Sequence, residues 1–121
     1  MNCVFCKITE GSIPSYTVYD DEIVKIFLDV NPDSNGHLLI VPKKHIVDLN
    51  DIDNNTLMHI MDLAKKYHKI LEEKLNIDGL TLIQNNGMIQ EVKHYHLHLK
   101  PYYKNSKKIL PVEEVYNIIN N

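Results

Sequence analysis

Short apolar runs separated by turn-forming residues predict a set of β-strands. Residues 16–19 are β-branched or aromatic, and a mainly apolar run follows at 23–28, after the turn residues Asp20 and Asp21. A dense cluster of turn formers at 31–36 separates this hairpin from the next apolar run. Runs bounded in this way by Pro, Gly, Asn and Asp are typical of strands. The predicted strands are 16–19, 23–28, 37–41, 80–84 and 92–100.

The hydrophobic period changes to that of a helix in the middle of the chain. Apolar residues recur there at three- and four-residue steps over about 20 residues, which is typical of an amphipathic helix. These residues are Leu57, Ile60, Met61, Ala64, Tyr67, Leu71 and Leu75. Asp53 or Asn54 can cap the start of this helix, and Gly79 lies beyond its end. Pro111 suits the start of a short C-terminal helix over 112–119.

Together these elements predict an α+β fold. It consists of an antiparallel sheet of about five strands, one long helix and a short C-terminal helix, because most strands are joined by tight turns. The sequence contains no linker, internal repeat or low-complexity segment. We therefore expect residues 1–121 to form a single domain.

Composition narrows the classes of function. With 44% hydrophobic and 24% charged residues, the chain of 121 residues resembles a globular protein. A net charge of -3 provides no field for nonspecific binding to nucleic acid. No apolar run approaches the roughly 20 residues of a membrane span, and the N-terminal residues lack signal-peptide features. Two cysteines exclude a disulfide framework. We expect a cytoplasmic protein with no nucleic-acid or membrane partner.

Three histidines alternate with apolar residues in the last predicted strand. Alternate side chains of a strand share a face, so His94, His96 and His98 line one side while the residues between them point into the interior. One metal ion cannot easily bind all three, because positions i and i+4 lie about 13 Å apart along a strand, although an ion could take two. A neutral imidazole can instead attack phosphorus while a flanking imidazolium assists. Exposed histidines without a role are the third interpretation. His37, at the start of a buried strand, is assigned to packing.

The two cysteines have the spacing of a zinc knuckle, in which two thiolates hold one ion. A redox pair is the alternative, but it is expected at the start of a helix after a strand, and only two residues precede Cys3. Zinc therefore ranks above redox chemistry. Cys3 and Cys6 as two structural cysteines remain a third interpretation, and a zinc site would need two further ligands.

The run 94–100, His-Tyr-His-Leu-His-Leu-Lys, resembles the His-x-His-x-His signature of the histidine-triad superfamily of nucleotide hydrolases and transferases. The combination of this run with the segment Pro-Lys-Lys-His at 42–45 makes the resemblance specific. Further segments follow the family's order over nearly the whole chain: 3–8, 11–14, 27–32, 36–45 and 85–87. The nearest branch is that of small bacterial proteins related to purine nucleoside phosphoramidases.

The resemblance implies a role for each matching residue. His96 is the nucleophile that carries a transient nucleotidyl group, and His98 contacts the phosphate and assists the leaving group. Asp29 matches the carboxylate that holds the ribose hydroxyls, and Asn85 matches a side chain near the scissile phosphate. The other nucleotide-binding positions wall the base or belong to the loop before the triad. They are Phe5, Ile8, Phe27, Val30 and Gln90. The four apolar ones could equally be core residues.

The resemblance also implies a structural zinc ion bound by four residues of this chain. The ligands are Cys3, Cys6, His45 and His94, which removes His94 from the catalytic set. Catalysis itself needs no cofactor. The implied substrate is a derivative of AMP or GMP, and the implied assembly is a homodimer.

The loop before the triad departs from the family pattern. The family usually has Gly-Gln-Ser/Thr-Val there, whereas this chain has a shorter loop without the glycine before Gln90 and with Glu91 in place of a hydroxyl residue. A carboxylate pointed at a phosphate would repel it. We therefore expect Glu91 to turn outward or to bind a cationic part of the substrate.

The leading hypothesis is a nucleotide phosphohydrolase that acts on the α-phosphate of a purine nucleoside phosphoramidate through a nucleotidyl-histidine intermediate. One alternative is a dinucleoside polyphosphate hydrolase. Another is a nucleotide-binding or scaffolding protein with little turnover. A metal-handling protein that uses the cysteines and histidines is the remaining hypothesis.

Overall fold

Five strands and three α-helices make up the computed structural model, which describes residues 3–121. The helices are Val4–Glu10 (α1), Asn54–Leu75 (α2) and Val112–Asn120 (α3). The strands are Thr17–Asp20 (β1), Val24–Leu28 (β2), Leu38–Pro42 (β3), Gly79–Ile83 (β4) and Leu97–Tyr102 (β5). They lie in the order β1-β2-β3-β5-β4, and every neighbouring pair is antiparallel. The predicted α+β fold is confirmed, with one helix more than the hydrophobic pattern indicated.

Helices α2 and α3 cover one face of the sheet. Alternate residues of the central strands enter the core on this face, since side chains of a strand alternate between its two sides. From the strands these are Val24, Ile26, Leu28, Leu38, Ile40, Leu97 and Leu99. Helix α2 adds buried residues at the spacing that the sequence predicted: Ile60, Leu63, Ala64, Tyr67 and Leu71. Burying each large aliphatic side chain contributes about 1.5–3 kcal/mol.

The ends of α2 and the start of α3 follow from local side-chain chemistry. The Asp53 side chain accepts a hydrogen bond from the Thr56 backbone amide at 3.1 Å and so caps the first turn of α2. The helix ends at Asn76, whose φ of 51° is left-handed, a conformation that asparagine tolerates. Pro111 directly precedes α3, as predicted. Within residues 3–121, no helix has the length and apolar character that a membrane crossing requires.

Helix α1 lies on the opposite face of the sheet. The hydrophobic pattern predicted no helix or strand over its residues, Val4–Glu10. Its Phe5 ring contacts the Phe27 ring edge-on, with the ring centroids 5.8 Å apart. The Lys25 ammonium donates a hydrogen bond to the Ile8 carbonyl at 3.1 Å, near the negative end of the helix dipole. A second, smaller cluster of buried residues forms around this contact: Cys3, Phe5, Phe27, Leu39 and Val41.

Strand β5 begins later than predicted. It starts at Leu97, and residues 91–96 are irregular, whereas the sequence pattern indicated a strand from residue 92. The Tyr95 backbone amide donates to the Ile46 carbonyl at 2.6 Å, a contact outside the sheet. The histidines still lie opposite the core, but their face is covered rather than solvated. His94 is fully buried and His96 is only 5% exposed, because both rings contact Phe5 of α1.

Candidate active site

Two adjoining cavities open on the face of the sheet that carries α1, and α1 lines the first of them. The first, of about 240 Å³, is mainly apolar, and its walls include Phe5, Ile8, Phe27, Val30 and Leu39. The second, of about 300 Å³, is polar and is lined by Asp29, Asn31, Asp33, His37, Asn85, Glu91, His96, His98 and Lys100. Four residues line both cavities: Asp29, Glu91, His96 and His98. The arrangement is one cleft with an apolar half and a polar half.

The hydrogen bond of His96 determines which of its nitrogens can react. Its Nδ1 lies 2.7 Å from the His94 carbonyl oxygen. A carbonyl only accepts, so Nδ1 carries the proton and donates it. The lone pair of the neutral ring therefore lies on Nε2, and His96 lines both halves of the cleft. This is the tautomer that a nucleophile requires.

His98 has the opposite tautomer because its partner donates. The Asp33 backbone amide donates to His37 Nδ1 at 3.2 Å, so the proton of neutral His37 is on Nε2. His37 Nε2 lies 2.9 Å from His98 Nδ1 and donates to it. The proton of neutral His98 is consequently on Nε2. The two neighbouring imidazoles, with ring centroids 4.9 Å apart, thus offer a lone pair and an N–H.

The polar half of the cleft keeps His98 and His37 uncharged. Burial lowers the pKa of His98 to about 4, with further lowering by the nearby His96, His37 and Lys100. Burial also lowers the pKa of His37, although the Asp29 carboxylate opposes this effect. His98 is therefore a neutral hydrogen-bond donor near pH 7, whereas the sequence had suggested an imidazolium beside the nucleophile.

His37 is a site residue that the sequence interpretation assigned to packing. It is 2% exposed, but its Nε2 faces His98 and lies 3.7 Å from Asp29 Oδ2. Antiparallel pairing aligns Leu39 with His98, so the side chains at 37, 39 and 98 share one face of the sheet. The alternation of residues 37–41, read together with this pairing, is the signal that could have identified His37.

The other sequence-predicted nucleotide-binding residues lie in three different settings. Asp29 accepts a hydrogen bond from the Asn31 backbone amide at 2.9 Å, and its carboxylate lies where the two halves of the cleft meet. Asn85 lines the polar half. Phe27 is buried, whereas Val30 is 66% exposed on the rim. The structure thus gathers these residues around the two histidines.

Gln90 does not reach the cleft, although it was predicted to bind nucleotide. Its side chain is 3% exposed, and its amide donates to the Val47 carbonyl. It follows a short 3₁₀ turn, Gly87–Ile89, which shows that the shortened loop turns this residue inward. Its neighbour Glu91 is exposed and lines both halves of the cleft. Of the two expectations for Glu91, that it turns outward or that it binds a cationic part of the substrate, its exposure fits the first and its place in the lining leaves the second open.

Cys3, Cys6, His45 and His94 form a second cluster behind the histidines, with all four ligand atoms within 4.8 Å of one another. His45 Nδ1 lies 3.1 Å from Cys6 Sγ, and His94 Nδ1 lies 3.4 Å from Cys3 Sγ. In a tetrahedral site with Zn–S bonds of about 2.3 Å and Zn–N bonds of about 2.0–2.1 Å, two ligand atoms lie about 3.5 Å apart. His94 Nε2 donates to the Pro42 carbonyl at 2.7 Å, which leaves the Nδ1 lone pair toward the thiols. These residues could hold a zinc ion.

Comparison with known proteins assigns the chain to a family. The sequence profile of the HIT domain matches residues 10–105. The chain belongs to the HIT domain family. An uncharacterized HIT-like protein of Methanocaldococcus jannaschii is 41% identical over 118 residues, covering 96% of this chain and 91% of that protein. The resemblance inferred from the histidine run is therefore confirmed.

Two further HIT relatives carry more specific names. The adenosine 5'-monophosphoramidase of Saccharomyces cerevisiae is 41% identical over 101 residues, covering 82% of this chain and 61% of the yeast protein. A zinc-bound histidine triad family protein from Mycobacterium smegmatis has the same fold, with a TM-score of 0.90 and 33% identity. That match covers 99% of this chain and 91% of the other.

Proposed function

We propose that this HIT protein is a nucleotide phosphohydrolase that cleaves purine nucleoside phosphoramidates at the α-phosphate. The observation that carries the proposal is the pair of tautomers in the cleft, with an unprotonated Nε2 on His96 and an Nε2–H on His98, in rings whose centroids are 4.9 Å apart. The yeast relative named as an adenosine 5'-monophosphoramidase supports the substrate class.

The two halves of the cleft suggest how the substrate binds. The purine base would occupy the apolar half, between Phe5, Ile8 and Phe27, with Val30 at the rim. The Asp29 carboxylate, at the junction, would accept hydrogen bonds from the ribose hydroxyls. This places the α-phosphate in the polar half, within reach of His96, His98 and Asn85. Gln90 would hold the loop in place through its hydrogen bond to the Val47 carbonyl and would not contact the phosphate.

The reaction would proceed in two displacements at phosphorus. His96 Nε2 attacks, a bond from this nitrogen to phosphorus forms, and the bond between phosphorus and the amine breaks. The electron pair leaves with the amine nitrogen, which takes up a proton from water and leaves a hydroxide, and this hydroxide is neutralised by the proton that the second step releases. His98 Nε2–H donates a hydrogen bond to the phosphate as charge develops. Water then attacks the nucleotidyl-histidine, which releases the nucleoside monophosphate, a proton and free His96.

We also propose that Cys3, Cys6, His45 and His94 bind one structural zinc ion. The donor set, the distances and the orientation of His94 support this, as does the zinc-bound relative. Bound zinc would fix the start of α1, and with it Phe5, against the histidine run. The chemistry on phosphate would need no metal, because the proposed nucleophile is a neutral imidazole.

The test is hydrolysis of a fluorogenic adenosine phosphoramidate by the wild type and by His96→Ala. We expect a loss of at least about 100-fold in kcat for the variant, since it removes the nucleophile. His68→Ala, at an exposed position of α2, is the matched control and should retain activity. Quenching in alkaline denaturant, in which the phosphorus–nitrogen bond of a nucleotidyl-histidine persists, should trap this adduct on the wild type, measured as intact mass. Equal release by the wild type and His96→Ala would refute the proposal.

The same experiment separates the alternatives. A dinucleoside polyphosphate hydrolase would cleave diadenosine polyphosphates faster than the phosphoramidate. A binding or scaffolding protein would bind AMP in calorimetry without measurable turnover of either substrate. The proposal treats residues 1–121 as one HIT domain in a homodimer, and light scattering in solution measures that assembly.

A further inference from the structure

The polar half of the cleft carries more negative than positive formal charge. Its lining contains three carboxylates, Asp29, Asp33 and Glu91, and one ammonium group, Lys100. Lys100 lies 2.7 Å from Asp33 and is therefore already paired. In the same cavity His96 is 95% buried, and its Nε2 makes no hydrogen bond within residues 3–121. A ligand group is thus expected beside this nitrogen, in a cavity whose lining carries net negative formal charge.

Glu91 is the carboxylate in this lining that neither pairs with a cation nor accepts a hydrogen bond within the described residues. Asp29 accepts a backbone hydrogen bond and faces His37, and Asp33 pairs with Lys100. Glu91 makes no ion pair within the described part of the chain. The nearest cation in sequence, Lys93, donates instead to the Gly87 carbonyl. An exposed carboxylate thus remains in a lining that also contains His96 and His98.

A lone carboxylate at this place changes the relative affinity for differently charged substrates. A polyphosphate brings several negative charges into the polar half, each repelled by Glu91. A nucleoside phosphoramidate, which has one ester bond, one phosphorus–nitrogen bond and one ionised oxygen at phosphorus, brings one. If its leaving group also carries a cation, the attraction between this cation and Glu91 offsets the repulsion of the phosphate. Electrostatic selection of this kind acts on any group within several ångströms and weakens with salt.

We propose that Glu91 makes the cleft selective for phosphoramidates whose amine leaving group bears a second, cationic group. The inference rests on the proposed function and narrows its substrate class. Glu91 acts here as a specificity residue: it takes no part in bond making, and it contacts the part of the substrate that departs.

The test compares three adenosine phosphoramidates of nearly equal size that differ in the charge at the far end of the leaving group. The amines are 1,4-diaminobutane, which leaves a free ammonium, n-pentylamine, which leaves a methyl group, and 4-aminobutyrate, which leaves a carboxylate. Each is assayed at about 0.05 M ionic strength, where the Debye length exceeds about 10 Å. The proteins are the wild type, Glu91→Gln and the control Glu73→Gln, a substitution of equal charge on the exposed side of α2.

For the wild type we expect kcat/KM to fall in the order ammonium, methyl, carboxylate, with about 3- to 30-fold between the first two. Glu91→Gln should reduce this ratio to within about twofold, while Glu73→Gln should preserve it. Raising the ionic strength to about 0.5 M should shrink the wild-type ratio and leave the Glu91→Gln ratio almost unchanged. Unfolding temperatures of the three proteins confirm that they are equally folded.

Two results would overturn the inference while leaving the proposed function intact. One is hydrolysis of all three substrates at similar kcat/KM by the wild type. The other is a ratio that survives in Glu91→Gln, which would show that another group selects the leaving group. If the wild type cleaves none of the three, the proposed function itself fails, and the inference fails with it.

Discussion

At the scale of single residues, two backbone groups determine which nitrogen carries the proton in His96 and in His98. The His94 carbonyl accepts from His96 Nδ1, and the Asp33 amide donates to His37 Nδ1. Because a carbonyl can only accept and an amide can only donate, each contact fixes one tautomer. His98 receives its tautomer from His37 and so depends on a residue outside the histidine run.

Replacing His37 should therefore impair catalysis more than binding. In His37→Leu the His98 ring loses its donor, and its proton can occupy either nitrogen, so the N–H is no longer held toward the cleft. We expect kcat to fall about 10- to 100-fold while KM changes less than about threefold. His37→Gln keeps an amide donor and should restore part of kcat. Steady-state kinetics with the fluorogenic phosphoramidate measures both, and unfolding temperatures control for lost stability. A kcat equal in Leu and Gln variants would contradict a role through the tautomer of His98.

The sequence alone identified the central histidine but not this dependence. Alternation in 94–98 was sufficient to place His94, His96 and His98 on one face, because alternation is a property of the chain itself, and the family resemblance then favoured His96 and His98. The partner of His98 comes from β3, and the tautomers depend on backbone groups whose position only the fold determines. The inward turn of Gln90 likewise results from the length of the preceding loop and its contact with Val47.

At the scale of elements, the helix and strands with the strongest sequence signal are those that bury either a regular stripe or a continuous run of apolar residues. Helix α2 buries one stripe and β2 and β3 are continuously buried, so their patterns are strong. Helix α1 has only seven residues and buries Phe5 and Thr9, too few for a period to show. Its stability comes from contacts with the sheet, since a helix this short is marginal in water.

Asp21 connects two of these elements and should give the fold a pH-dependent contribution. Its carboxylate accepts from the Ile23 and Val24 amides of the β1–β2 turn, from Tyr19 Oη, and at 2.7 Å from His59 Nε2 of α2. Burial alone would raise the pKa of Asp21, but these four hydrogen bonds hold it well below its ordinary value. A lowered folded-state pKa means that the stabilisation is complete above the unfolded-state pKa of about 3.9 and is lost as pH falls below it.

Asp21→Asn should lower the free energy of unfolding at pH 7 by about 1–3 kcal/mol, because the amide cannot accept from both Tyr19 and His59. This corresponds to an unfolding temperature lower by roughly 4–12 °C. The difference from the wild type should shrink between pH 4 and pH 2, because the Asp21 carboxyl of the unfolded wild type protonates there while that of the folded protein stays ionised. Urea unfolding across this range measures it, with the exposed neighbour Glu22→Gln as control. A difference that stays constant with pH would show that the carboxylate charge is not responsible.

At the scale of the whole molecule, the sheet separates a structural side from a reactive side. Helices α2 and α3 enclose the main core on one face, while the other face carries the cleft and α1. The four candidate zinc ligands come from three segments far apart in sequence: the start of α1, the loop after β3 and the approach to β5. A single ion would therefore join the wall of the apolar cavity to the backbone that holds His96.

Removing zinc should consequently loosen the cleft before it unfolds the sheet. Purified protein is expected to contain one zinc per chain by elemental analysis, and Cys3→Ser or His45→Ala should reduce this content and lower the unfolding temperature by about 5–15 °C. Because Cys3 also caps α1 through the Cys6 amide, the N-terminal segment should lose hydrogen-exchange protection first, while α2 keeps it. His68→Ala serves as the histidine control.

The KM for the phosphoramidate should rise in the zinc-depleted protein, since Phe5 and Ile8 form walls of the cavity proposed for the base. Metal-free wild-type protein, together with an unchanged unfolding temperature in Cys3→Ser, would rule the site out and leave α1 held by apolar packing alone.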